Sequence, residues 1–209
     1  MADGSDQRPE SAPDESGDAV GLRGASLVRW GVGFYVAMAG VALAWRTGIY
    51  GEPILYSGEL AAQQGVDLLG DAGLGVLGGG VLLVLSQLAT RATRWGEELA
   101  RTLAEALGPI SMPGALCLAL VSGVAEEMLF RGALQPRVGL AIAGVLFGLV
   151  HFAPRRELLP WTAFAVLAGL LFGWMFEATG NLVAPIVAHI VVNGVNLPFL
   201  VRNYGSPDS

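Results

Sequence analysis

The chain has 209 residues, enough for one domain; 53% are hydrophobic and only 14% are charged. A soluble domain carries about 25% charged residues, so the composition excludes a water-soluble globule and implies an all-α helix bundle embedded in a lipid bilayer. Much of the net charge of −6 sits in residues 1–24, where Asp3, Asp6, Glu10, Asp14, Glu15 and Asp18 face only Arg8 and Arg23.

Those first 24 residues, with Pro9, Pro13 and several Ser and Gly, read as a disordered acidic tail. Their acidity does not suit a signal peptide, which needs a basic region before its apolar stretch, although Ala42-Leu43-Ala44 mimics a cleavage site. The first apolar segment, about 25–46, carries Arg29 and Trp30 near one end and Trp45 and Arg46 at the other, as expected at two membrane interfaces. The second, about 68–88, contains Gly73, Gly75, Gly78, Gly79 and Gly80, which predict a close helix contact. Over 89–108 charged and apolar residues alternate (Arg91, Arg94, Glu97, Glu98, Arg101, Glu105), the pattern of a helix lying on the membrane surface. Residues 25–112 are therefore expected to form two transmembrane helices and one amphipathic surface helix.

A four-helix membrane core is expected over 113–201, followed by a tail at 202–209. The third segment, about 113–134, is expected to end before Pro136. The fourth, about 137–153, is stopped by Pro154 and spans only ~25 Å of a ~30 Å hydrocarbon core. The fifth and sixth cover about 159–178 and 183–201, giving about six transmembrane helices in all. Gly144/Gly148 and Gly169/Gly173 are small-residue pairs that let helices approach closely. Cys117 is the only cysteine, so no intramolecular disulfide is possible; it lies in an apolar run and reads as packing.

All basic residues are arginines, too scattered for a nucleic-acid surface, and no nucleic acid partner is expected. With a cytoplasmic N-terminus and six crossings, Arg8, Arg23, Arg29, Arg91, Arg94, Arg101, Arg155, Arg156 and Arg202 fall inside, against Arg46, Arg131 and Arg137 outside. That bias predicts that both termini are cytoplasmic; the membrane is expected to be the plasma (inner) membrane of a prokaryote.

Ionisable groups within spans are costly, roughly 2.5–3.5 kcal/mol each on insertion scales, and mark functional sites. Here they are Glu126, Glu127, His151 and His189, the last two being the only histidines. Glu127 and Arg131, four residues apart, suit a structural ion pair. Measured from the end of the third segment near Gln135, Glu126 lies ~12 Å deep, His151 ~21 Å, His189 ~9 Å and Asn193 ~15 Å. Residues from three helices thus share one layer, with Phe147 four before His151 and Asn193 four after His189.

In this order the residues resemble a known family. Glu126-Glu127-Met128-Leu129-Phe130-Arg131 resembles the Glu-Glu-x-x-x-Arg motif of the CAAX protease and bacteriocin-processing family of intramembrane proteases. Phe147-Gly148-Leu149-Val150-His151 is similar to its Phe-x-x-x-His motif, and His189-Ile190-Val191-Val192-Asn193 to its His-x-x-x-Asn motif. The resemblance covers about 113–200 and implies hydrolysis of peptide bonds in membrane-associated proteins or peptides. It implies Glu126 as the base that activates water, with His151, and His189 with Asn193 as oxyanion donors. Glu127, Arg131 and Phe147 would support the site. The family is described both as metal-dependent and as working without metal, so Glu126, His151 and His189 also stand as ligands of a Zn2+ ion, a known catalytic set. No cofactor is required by the first reading.

Two other classes stand beside it: a non-catalytic membrane binding or immunity protein, and a transporter or proton relay. The side of entry is contradictory. The site residues lie nearer the Gln135 end, which the arginines put outside, whereas the resemblance implies access from the cytoplasm.

Overall fold

The computed structural model describes residues 15–205, with side chains from 21 onward. The acidic tail before Glu15 and the last four residues lie outside the described residues. Helix α1 (Glu15–Leu43) already covers 15–24, so that part of the stretch expected to be disordered is helical. It continues through a π-helical turn, Ala44–Ile49. A short α2 (Glu59–Gln64) leads to α3 (Leu68–Ala92) and α4 (Arg94–Leu107). Then come α5 (Met112–Glu127), a π-helical turn (Met128–Leu134) and α6 (Gln135–Val138). Helices α7 (Leu140–Val150), α8 (Leu159–Thr179) and α9 (Val183–Tyr204) complete an all-α membrane bundle.

Five helices are long and apolar enough to cross a membrane, where about six were expected. The fourth segment is the exception. Gly139, at φ +82°, turns the chain and α7 stops at Val150, leaving 11 residues or ~16 Å of helix. Pro154 disfavours helix just before itself, which helps to end α7 early.

The third segment does not end before Pro136 but runs on to Val138 as one helix. The wider π-turn places Pro136 in the first turn of α6, where its missing N–H breaks no bond. Glu126 therefore sits near mid-helix, ~18 Å from Val138 rather than ~12 Å from an earlier end.

Glycines set the helix contacts. A Cβ at Gly169 would lie 2.5 Å from the Gly144 carbonyl oxygen, so α7 and α8 meet backbone to backbone. Gly75 and Gly79 of α3 seat on α9 at Ala184 and Ala188 in the same way. The α1–α5 contact is parallel, with Gly24 on Pro109, Val28 on Gly114 and Gly31 on Leu118. Phe172, Met175, Ala184, Ala188 and Leu82 form the main core between α3, α8 and α9.

Two ends of the bundle follow from these contacts. At the Gln135 end, Asn181 donates from Nδ2 to Asp71 Oδ2 at 2.7 Å and Tyr56 bridges Asn181. There Glu52 joins the buried Arg46 to Arg137. The opposite end is closed by α4, whose Ala100 and Ala104 pack on Leu200 of α9. Its other face carries Arg94, Glu97, Glu98 and Arg101 outward, so the amphipathic pattern becomes a cap across that end. Cys117 points out of the bundle, where lipid replaces the packing expected of it.

Candidate active site

Adjacent positions on a helix diverge by about 100°, and α5 uses this to send Glu126 and Glu127 into different surroundings. Glu127 is 0% exposed and faces α8 and α9. Its Oε1 accepts from Arg131 Nη1 at 3.0 Å and from His189 Nδ1 at 2.7 Å. The brace expected between Glu127 and Arg131 is present, and it also holds a histidine, which sequence reasoning missed. Arg131 donates its Nη2 to the Gly169 carbonyl at 2.9 Å and lies 4.4 Å from the Phe147 ring centre. A buried guanidinium is thereby bonded and covered by an aromatic face, which repays much of its desolvation.

Glu126 turns instead into a cavity of about 320 Å³. His151 stands across from it, Nε2 to Oε2, at 3.7 Å. That is too long for a direct hydrogen bond. The Phe147 carbonyl oxygen, 2.7 Å away, can only accept, so His151 donates from Nδ1 and leaves Nε2 facing Glu126. Glu126 Oε2 is buried with no protein hydrogen-bond partner. Such an atom is costly unless water or a ligand meets it. A water about 2.8 Å from both acceptors would satisfy the geometry.

His189 and Asn193 line the same cavity from α9. The His189 ring is stacked on Phe172, centroids 5.3 Å apart, and meets the edge of Phe147. With Nδ1 committed to Glu127, its Nε2 is the free nitrogen. Asn193 donates from Nδ2 to Ser122 Oγ at 3.1 Å, which fixes its amide one turn below Glu126. Phe147 thus has several contacts: it accepts from His151, covers Arg131 and meets His189.

Four residues of the site were not anticipated. Ser122 lies four before Glu126 on the same helix face, a spacing that was readable. Trp161 meets the His151 ring edge-on at 5.2 Å, and Phe172 and Tyr35 line the cavity. These last three lie on other helices, and only their packing brings them there.

A shared metal fits less well. Among the described residues no three His, Cys, Asp or Glu side chains converge as a binding set. Glu126 and His151 face each other, while His189 is held through Nδ1 by Glu127 and keeps only Nε2 for the cavity.

Residues 108–195 match the family model for type II CAAX prenyl endopeptidase Rce1-like proteins. An uncharacterized protein of Bacillus subtilis (strain 168), YpbD, is 41% identical over 87 residues, covering 41% of this chain and 44% of that protein. CAAX prenyl protease 2 of Arabidopsis thaliana is 32% identical over 108 residues, covering 40% of this chain and 35% of that protein. The chain therefore spans less than half the length of these curated relatives. No solved structure matches it. The matched segment holds Glu126, Glu127, Arg131, His151, His189 and Asn193 in one bundle, and this part of the chain is similar to Rce1-like proteins, in keeping with the CAAX protease and bacteriocin-processing family that its motifs resemble.

Proposed function

We propose that the protein is an intramembrane endopeptidase that cleaves membrane-associated proteins or peptides with a water held between Glu126 and His151. The observation that carries this reading is the 3.7 Å Glu126–His151 pair in a cavity that His189 and Asn193 also line. Glu126 takes a proton from the water as its oxygen attacks the scissile carbonyl carbon. The negative charge on the carbonyl oxygen is met by Asn193 and by His189 Nε2, which donates when the ring carries both protons; Glu127 is the counter-ion of that state. The C–N bond then breaks and Glu126 returns the proton to the leaving amine.

The cavity reaches Leu103 and Leu107 of α4 and Leu200 near the end of α9. Substrate therefore enters from the α4 end, where Arg91, Arg94, Arg101, Arg155, Arg156 and Arg202 gather. The positive-inside rule makes that end cytoplasmic. This reading resolves the conflict between the depth count and the resemblance in favour of cytoplasmic access. A proton relay would string ionisable groups through more helices. The buried acids among the described residues are Asp71, Glu126 and Glu127, and Asp71 is tied to Asn181 at the bundle end.

The test uses purified protein in lipid vesicles with internally quenched, lipid-anchored peptides. Glu126→Gln is expected to remain folded and to lose roughly 10²–10⁴-fold in rate. Near-normal cleavage by that variant would remove Glu126 as the base.

A further inference from the structure

Helix α1 lies outside the segment matched by the family, yet it contributes to the cavity. Tyr35 is the one polar residue between Gly31 and Trp45, midway along the span Gly21–Ile49. Tyrosines that anchor a helix at the membrane interface sit near its ends, so this position needs another reason. A phenol in the apolar interior requires a partner for its O–H. The parallel packing of α1 on α5 supplies one. Gly24 meets Pro109, Val28 meets Gly114 and Gly31 meets Leu118, and continuing that register brings Tyr35 level with Ser122, one turn before Glu126. The Tyr35 side chain lines the cavity together with Ser122 and Glu126. Phe34 packs against its ring at 5.4 Å and points outward, which limits the ways Tyr35 can turn.

We infer that Tyr35 is a positioning residue for Glu126: its hydroxyl donates to the carboxyl and holds it turned toward His151. This rests on the reading of Glu126 as the base. A carboxylate with an unbonded buried oxygen has a choice of rotamers. A donor on one side removes that choice and leaves the other oxygen for the water. The α1 helix thereby becomes part of the machinery rather than an anchor beside it.

The decisive variant is Tyr35→Phe, which keeps the ring and removes the hydroxyl. In the vesicle assay kcat is expected to fall roughly tenfold, the loss of one hydrogen bond to a charged group, with KM within about twofold. Val41→Ala, on the outward face of the same helix, is expected to leave both constants unchanged. A wild-type kcat in Tyr35→Phe would overturn the inference. A second measurement does not depend on cleavage. With carboxyl-labelled glutamate, the infrared band that disappears in Glu126→Gln is expected to shift in Tyr35→Phe. An unshifted band would overturn the inference whether or not the protein cleaves peptides. A shifted band in a protein that cleaves nothing would uphold the contact and count against the protease reading instead.

Discussion

His189 donates from Nδ1 to Glu127 Oε1 across 2.7 Å, and the same oxygen accepts from Arg131 Nη1 at 3.0 Å. One fully buried carboxylate thus ties the cation that braces α5 against α8 to the imidazole that α9 presents to the cavity. An ionised carboxylate only accepts, so the contact also decides which ring nitrogen carries a proton and leaves Nε2 toward the substrate. Glu126, one residue earlier, makes none of these contacts and faces His151 instead.

Glu127→Ala is expected to leave the buried Arg131 and His189 without their partner, lowering stability by about 3–5 kcal/mol. Folded yield and thermal unfolding in detergent measure this. Glu127→Gln keeps the shape but not the charge, and is expected to fold better than Glu127→Ala while losing roughly 10²-fold in kcat. Equal stability of wild type and Glu127→Ala would show that the pair braces nothing.

Asn193→Ala is expected to cost about 10²–10³-fold in kcat, the effect of one lost oxyanion donor. Ser122→Ala removes the bond that orients the Asn193 amide and is expected to cost less, about tenfold, since the amide is displaced rather than deleted. Steady-state rates on the lipid-anchored peptide separate the two. A larger loss in Ser122→Ala than in Asn193→Ala would reverse their assigned order.

Gly169→Ala places a methyl group 2.5 Å from the Gly144 carbonyl oxygen. Helices α7 and α8 must then separate, which also moves the Arg131 contact to Gly169. Destabilisation of about 1–3 kcal/mol is expected from such overpacking. Gly80→Ala, with open space at its Cβ, is the matched control and is expected to unfold at the wild-type temperature.

Elemental analysis of purified protein addresses the zinc reading directly. Because no three ligating side chains converge among the described residues, less than one zinc per chain is expected, and strong chelators are expected to leave both folding and cleavage intact. One tightly held zinc whose removal lowers the unfolding temperature would restore the Glu126, His151 and His189 ligand set.

The direction of substrate entry is open to cysteine labelling in intact cells, in a Cys117→Ser background. Gln135 is a poor probe because it is buried and donates to Gly173 and Glu177. Exposed Gln63 on α2 and Arg155 beyond α7 report on the two ends. An impermeant thiol reagent is expected to label a cysteine at 63 but not at 155. The opposite pattern would place the α4 end, and the cavity, outside the cytoplasm.

Hydropathy alone determines that this chain is a membrane helix bundle, because a long apolar run in lipid has little option but to satisfy its own backbone. Sequence order also marks Glu126, Glu127, His151, His189 and Asn193, since polar groups at depth are too costly to be incidental. Helix spacing within one segment was readable as well, as the Glu127–Arg131 pair shows. Contacts between segments were not. The pairing of His189 with Glu127 depends on how α9 rotates against α5, and Tyr35 joins the cavity of Glu126 only through the parallel register of α1. The length of the third helix turned on a π-turn that lets Pro136 pass, and hydropathy carries no signal of hydrogen-bond register. Depth counted along isolated helices therefore left the side of access contradictory. The cavity that links it to α4 exists only once the helices pack, because a cavity is a property of the surfaces between them.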